Sequence, residues 1–294
     1  MSAEKPSGPA PAAAPREAGG DPSWTPLDEA RLQVYQVLSL AASDPRSERW
    51  PRLREPAVCE AAVAAARFLA DQGEAQPHEL APGETSPSGL DLAELMRLAE
   101  APRDELGEEH QRVFGLVQSK ECPPCESDYC PQTFSVYRSQ RMADVAGFYR
   151  AFGLQPSRDM PEHVDHVALE LEFMAWLLAK RRHALQAGGQ KAAEQAGVCA
   201  AAERDFAEEH LAWWLPAFAR ALRTKADGQP PDLSSTAPAG SFYSALGACL
   251  AAFVPAERAL LGIAPSDELA RPAPTDEPEG GCEGCSPDVD PDAD

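Results

Sequence analysis

The sequence predicts an all-α fold: a single globular domain of about nine helices over residues 26–263, between disordered tails at 1–25 and 264–294. Three observations carry this. Apolar residues recur three and four apart in one segment after another. No stretch of any length alternates with period two, so no sheet is expected. Pro, Gly, Ser and Asp fall at the ends of the periodic segments and leave mostly short connections.

Residues 1–25 are rich in Pro, Ala and Gly and lack the apolar content to order themselves. Helical periodicity begins at Leu27, with Leu32, Tyr35 and Leu38 to Leu40 on one face, and stops near Ser43-Asp44-Pro45. Pro56 suits the first turn of a second helix that reaches Asp71 through an Ala-rich body. A Gly/Pro/Ser-rich loop follows. Asp91–Glu100, with Leu92, Leu95 and Leu98, and Arg103–Gly115 read as the third and fourth helices. A cysteine-rich loop fills Leu116–Pro131. The fifth helix spans Thr133–Phe152, with Val136, Met142, Val145, Phe148 and Tyr149 as core and Gly153 as its cap. The sixth, from Glu162 to Leu185, buries the stripe Val167, Leu171, Met174 and Leu178. Helices at Lys191–His210, Leu211–Lys225 and Ser241–Leu261 follow, the last kinked or divided near Pro255. Residues 264–294 are acidic and Pro-rich and carry Cys282-x-x-Cys285.

The net charge of −21 repels nucleic-acid phosphates and favours a basic partner. The N-terminus lacks the apolar core of an export signal. No run of about 20 apolar residues is expected to span a membrane. The strongest candidate, residues 168–179, carries Glu170 and Glu172. A cytoplasmic protein is expected. Its eight cysteines are then thiols, metal ligands or redox centres rather than structural disulfides.

Chemistry-bearing residues concentrate in Glu108–Met174. Cys122, Cys125 and Cys130 give a C-x2-C-x4-C spacing, and Cys282 with Cys285 offers a second pair. Together they could hold zinc or an iron–sulfur cluster, with the tail pair folding back on the loop trio. The other reading is free thiols in loops. Cys59, Cys199 and Cys249 sit singly in Ala-rich helices as small core residues. His163, His166 and Glu170 fall on one helical face. Zinc or iron could use them, but no Glu-x-x-His on a second helix completes a di-metal site, and a structural role is favoured. Trp176, Trp213 and Trp214 lie on helical patterns as core. No phosphate-binding glycine loop and no nucleophile elbow occurs, so no catalytic set emerges.

Three segments in this stretch resemble the TorD/DmsD/NarJ-like family of redox-enzyme maturation chaperones. They are EEHQRVFG with Phe114, the loop PPCESDY, and PEHVDHVALELEFM with Asp165, His166, Glu170, Leu171, Phe173 and Met174. The resemblance implies an all-helical fold, no enzymatic turnover and no required cofactor. It implies a cytoplasmic chaperone that binds the catalytic subunit of a molybdopterin oxidoreductase, or its twin-arginine leader, until cofactor insertion and export. Monomer and homodimer are both compatible with it. Carried onto this chain, the partner-binding residues are Phe114, Glu126, Ser127, Tyr129, Asp165, His166 and Glu170. Acidic residues beside Phe114, Tyr129 and Tyr137 would answer a leader's basic head and apolar stretch. The cysteines and the acidic tail depart from the family pattern, and leave a helical metal- or cluster-binding protein as the alternative.

Overall fold

The computed structural model describes residues 23–74, 79–115, 119–131, 135–157, 162–231 and 240–273. Among them are nine α-helices and no strand: α1 Pro26–Ala41, α2 Pro56–Glu74, α3 Leu92–Ala99, α4 Arg103–Phe114, α5 Ser135–Ala151, α6 Val167–Ala187, α7 Gln190–Phe206, α8 Leu215–Asp227 and α9 Phe242–Leu261. Their starts follow local chemistry. Thr25 and Asp28 form a reciprocal capping box ahead of Pro26. The Asp91 carboxylate accepts the Ala93 and Glu94 N–H groups, and the Ser241 hydroxyl accepts that of Ser244. Gly115, at φ 79°, ends α4 in a conformation that a side chain would strain.

α9 lies at the centre, packed along α8 and also against α3 and α4. α1 runs beside α2 and α6, and α6 beside α7. The predicted stripe Val167, Leu171, Met174 and Leu178 is fully buried. Of the nine helices, α9 alone is long and apolar enough to cross a membrane, and most of it is buried inside the protein. The strongest candidate by length and composition is therefore α9 and not residues 168–179.

Pro255 does not divide α9. The carbonyl of Ala251, which a proline four residues on cannot serve, instead accepts the Thr85 N–H at 3.0 Å. A neighbouring loop supplies what the helix lacks. Val136 is 63% exposed rather than core, and the first buried side chain among the described residues of α5 is Val145, in its third turn. The domain limits also move. Trp24 and Thr25 cap α1, and the segment after α9 continues across the protein, with Leu269 and Ala270 on the core and the Ala273 N–H donated to the Asp128 carbonyl at 2.7 Å. The rest of both expected tails, with Cys282 and Cys285, lies outside the described residues.

α7 ends differently from a regular helix. Ala207–Leu211 makes a π turn, closed by the Ala212 N–H on the Ala207 carbonyl at 2.8 Å. α8 starts only at Leu215. The extra residue in that turn brings His210, Trp213 and Trp214 under the cysteine-rich loop.

Candidate functional site

The loop at 119–131 carries one short 3-10 turn, Glu126–Tyr129. Pro123 and Pro124 have no N–H to donate, so this step can only accept. The Pro124 carbonyl accepts the Val167 N–H at 2.9 Å, and the Glu126 N–H reaches the Asp165 carbonyl at 3.0 Å. Cys125 and His166 form an isolated antiparallel bridge. The Asp165 carboxylate accepts the Ser127 N–H at 2.9 Å. Two motifs almost forty residues apart are thereby zipped backbone to backbone at the entry to α6.

His166 is the cap of α6: its Nδ1 accepts the Ala168 N–H at 3.2 Å. Burial, and then His110 and His163, hold its pKa down at about 3, so the ring is the neutral acceptor that the cap requires. The helix starts at Val167 and not at Glu162. His163, His166 and Glu170 therefore do not share one helical face, because only Glu170 lies inside the helix.

Behind the loop is a buried polar cluster. The Glu126 carboxylate accepts Trp213 Nε1–H at 2.8 Å and lies 2.9 Å from His210 Nδ1, with Arg141 Nε at 3.7 Å. Glu170 accepts Trp214 Nε1–H at 3.3 Å. Burial raises both glutamates, and for Glu170 the neighbouring Glu126 and Asp165 raise it further. Tyr129 packs its ring on Trp214, with centroids 5.2 Å apart.

Above the loop is a cleft of about 550 Å³, lined by His110 and Phe114 of α4, Pro124 and Cys125, and His163 and His166, with Asp44, Arg46 and Glu162 at its edges. Burial lowers His110 and raises Glu162, and His166 Nε2 lies 3.6 Å from Glu162. Arg46 also borders a second groove of about 870 Å³. Tyr149, Leu154, Leu169, Phe173 and Trp176 give that groove an apolar floor, and Arg49 pairs with Glu172 on its rim at 2.6 Å.

Of the predicted partner-binding residues, Phe114 and His166 line the cleft. Glu126, Ser127, Tyr129, Asp165 and Glu170 are buried beneath it and brace it. The expected trio of Phe114, Tyr129 and Tyr137 does not share a surface. Phe114 meets Tyr243 edge-on in the core, Tyr129 is covered by Trp214, and Tyr137 is 46% exposed at the start of α5. Cys122, Cys125 and Cys130 are all buried, and burial raises all three thiols. No three His, Cys, Asp or Glu side chains among the described residues are arranged to hold a metal. Asp44, Arg46 and His210 were missed as site residues. Asp44 and Arg46 read only as a helix end, and nothing local marks the π turn that places His210.

Residues 84–220, which contain all three motif segments, match the family model of the nitrate reductase delta subunit. The selenate reductase assembly chaperone protein of Thauera selenatis is 33% identical over 139 residues, which are 44% of this chain and 62% of that protein. The chlorate reductase assembly chaperone protein of Ideonella dechloratans is 34% identical over 99 residues, 31% of this chain and 49% of that protein. The chaperone protein TorD of Vibrio cholerae serotype O1 (strain ATCC 39315 / El Tor Inaba N16961) is 33% identical over 81 residues, 28% of this chain and 33% of that protein. Over part of its length the chain is thus similar to the reductase assembly chaperones and TorD chaperones. It spans 33–62% of the lengths of these three relatives. The segment matched by the family model holds the whole cleft except Asp44 and Arg46, which the loop after α1 contributes.

Proposed function

We propose that this chain is a cytoplasmic maturation chaperone, without catalytic turnover, for the catalytic subunit of a molybdopterin oxidoreductase. It holds that subunit, or its twin-arginine leader, until the cofactor is inserted and the subunit is exported. The observation that carries the reading is the convergence of three separated motif segments on one cleft. A braced loop floors that cleft, and an apolar groove opens beside it. Asp44 and Glu162 at the cleft suit guanidinium groups. The Tyr149–Phe173–Trp176 floor suits the apolar stretch that follows them in a leader. The net charge of −21 steers a basic segment toward the chain.

The test is titration of the full chain with a leader peptide from a candidate client, and with the same peptide carrying glutamine in place of both arginines. Binding that weakens on Asp44→Asn with Glu162→Gln, and on Trp176→Ala, supports the reading. A chain that captures no leader and no apo-subunit refutes it.

A further inference from the structure

Glu126 and Glu170 face one another in the interior, both with no exposed surface. The charged and titratable groups around them are Asp165, Arg141, Tyr149, His210, Cys125 and Cys130. Three carboxyl groups thus share an enclosure with one guanidinium, which stands 3.7 Å from Glu126, and one imidazole. Glu126 meets Trp213 with one oxygen and His210 with the other, which leaves each oxygen a further lone pair to accept with. Glu170 uses one oxygen for Trp214, and its Oε1 has no hydrogen-bond partner. A carboxylate oxygen left bare in such a place is costly, whereas a carboxylic acid there has an acceptor within reach.

We propose that Glu170 keeps a proton that it donates to Glu126, and that this shared proton latches the motif loop onto α6 and the α7–α8 junction. Each partner of the bond belongs to a different part of the site. Glu126 stands on the loop, Glu170 on α6, and the groups that fix Glu126 on the turn between α7 and α8. Lifting the loop separates the two carboxyls and admits water, so Glu170 loses its proton to solvent. Burial and Glu126 raise its pKa far above the ordinary 4.5. Opening therefore becomes easier as pH rises above that ordinary value, and levels off once Glu170 also ionises in the closed state. The latch does not depend on which partner the cleft takes.

The experiment is amide hydrogen exchange of the full chain from pH 5 to pH 8, corrected for intrinsic exchange, read at Ser127, Cys130 and Val167. Loop opening in the native chain is expected to increase about tenfold per pH unit over the rising part of the curve, as one-proton release requires. Glu170→Gln, whose amide donates to Glu126 at every pH, is expected to be flat while keeping the loop closed. Glu126→Gln removes one charge of the pair but leaves Glu170 buried, and is expected to level the curve off at a lower pH than in the native chain. A native chain with no slope overturns the proposal. So does a slope that survives Glu170→Gln but disappears in His210→Asn, which would give the proton to the imidazole.

Discussion

Asp165→Ala tests the brace that holds the loop. The Asp165 side chain accepts the Ser127 N–H at 2.9 Å, and both residues are buried, at 0% and 7% exposure. Alanine leaves that N–H stranded, which costs ~1–3 kcal/mol. One feature limits the loss. The backbone bond from Glu126 to the Asp165 carbonyl survives. The expected net cost is ~1–2 kcal/mol, confined to the loop, or a roughly 5–30-fold increase in its opening. Amide exchange at Glu126, Ser127 and Val167 measures it, with Leu246 and Leu250 in the core of α9 as the internal reference. Asp165→Asn, which retains a side-chain oxygen for Ser127, should keep most of the protection. Equal loss in α9 and the loop, or no loss in either, would refute the reasoning.

Gly247 lies where α9 meets α8, and a Cβ there would stand 2.7 Å from the Ala219 carbonyl oxygen and from Arg223 Cγ. Gly247→Ala should lower the urea midpoint by an amount worth ~1–3 kcal/mol with an unchanged slope. Glu203 pairs with Arg31 and Arg181 deep between helices, but burial outweighs them and raises its pKa from 4.5 to about 7. A raised carboxyl pKa stabilises least at high pH, so the native chain should lose stability as pH climbs from 4.5 to about 7. In Glu203→Gln that part of the pH slope should vanish from urea curves recorded at pH 5 and pH 8. For the cysteines, burial that raises the Cys122, Cys125 and Cys130 thiols opposes the thiolates a metal needs. Anaerobically purified protein should carry less than one zinc or iron per chain. A full equivalent, lost on replacing Cys282 and Cys285 by serine, would refute that.

The sequence by itself determined the helices, because their signals are local. The stripe from Val167 to Leu178, the proline and glycine boundaries and the capping residues are each readable within a few turns. It also marked the stretch that holds the candidate site, since the unusual residues of EEHQRVFG, PPCESDY and PEHVDH stand out against ordinary amphipathic helix. Only the tertiary structure decided what each of these residues does. Glu126, Asp165 and Glu170 look like surface acids, yet they are enclosed, because Trp213, Trp214 and His210 arrive from a turn more than eighty residues beyond the loop. Arg46 and Asp44 reach the cleft from the other direction, after α1. Pro255 reads as a break, yet its helix continues because Thr85, distant in sequence, takes the freed carbonyl. Local periodicity shows which residues turn inward. It carries no information about which distant donor or charge will meet them there, and burial, protonation and the brace under the loop all depend on that meeting.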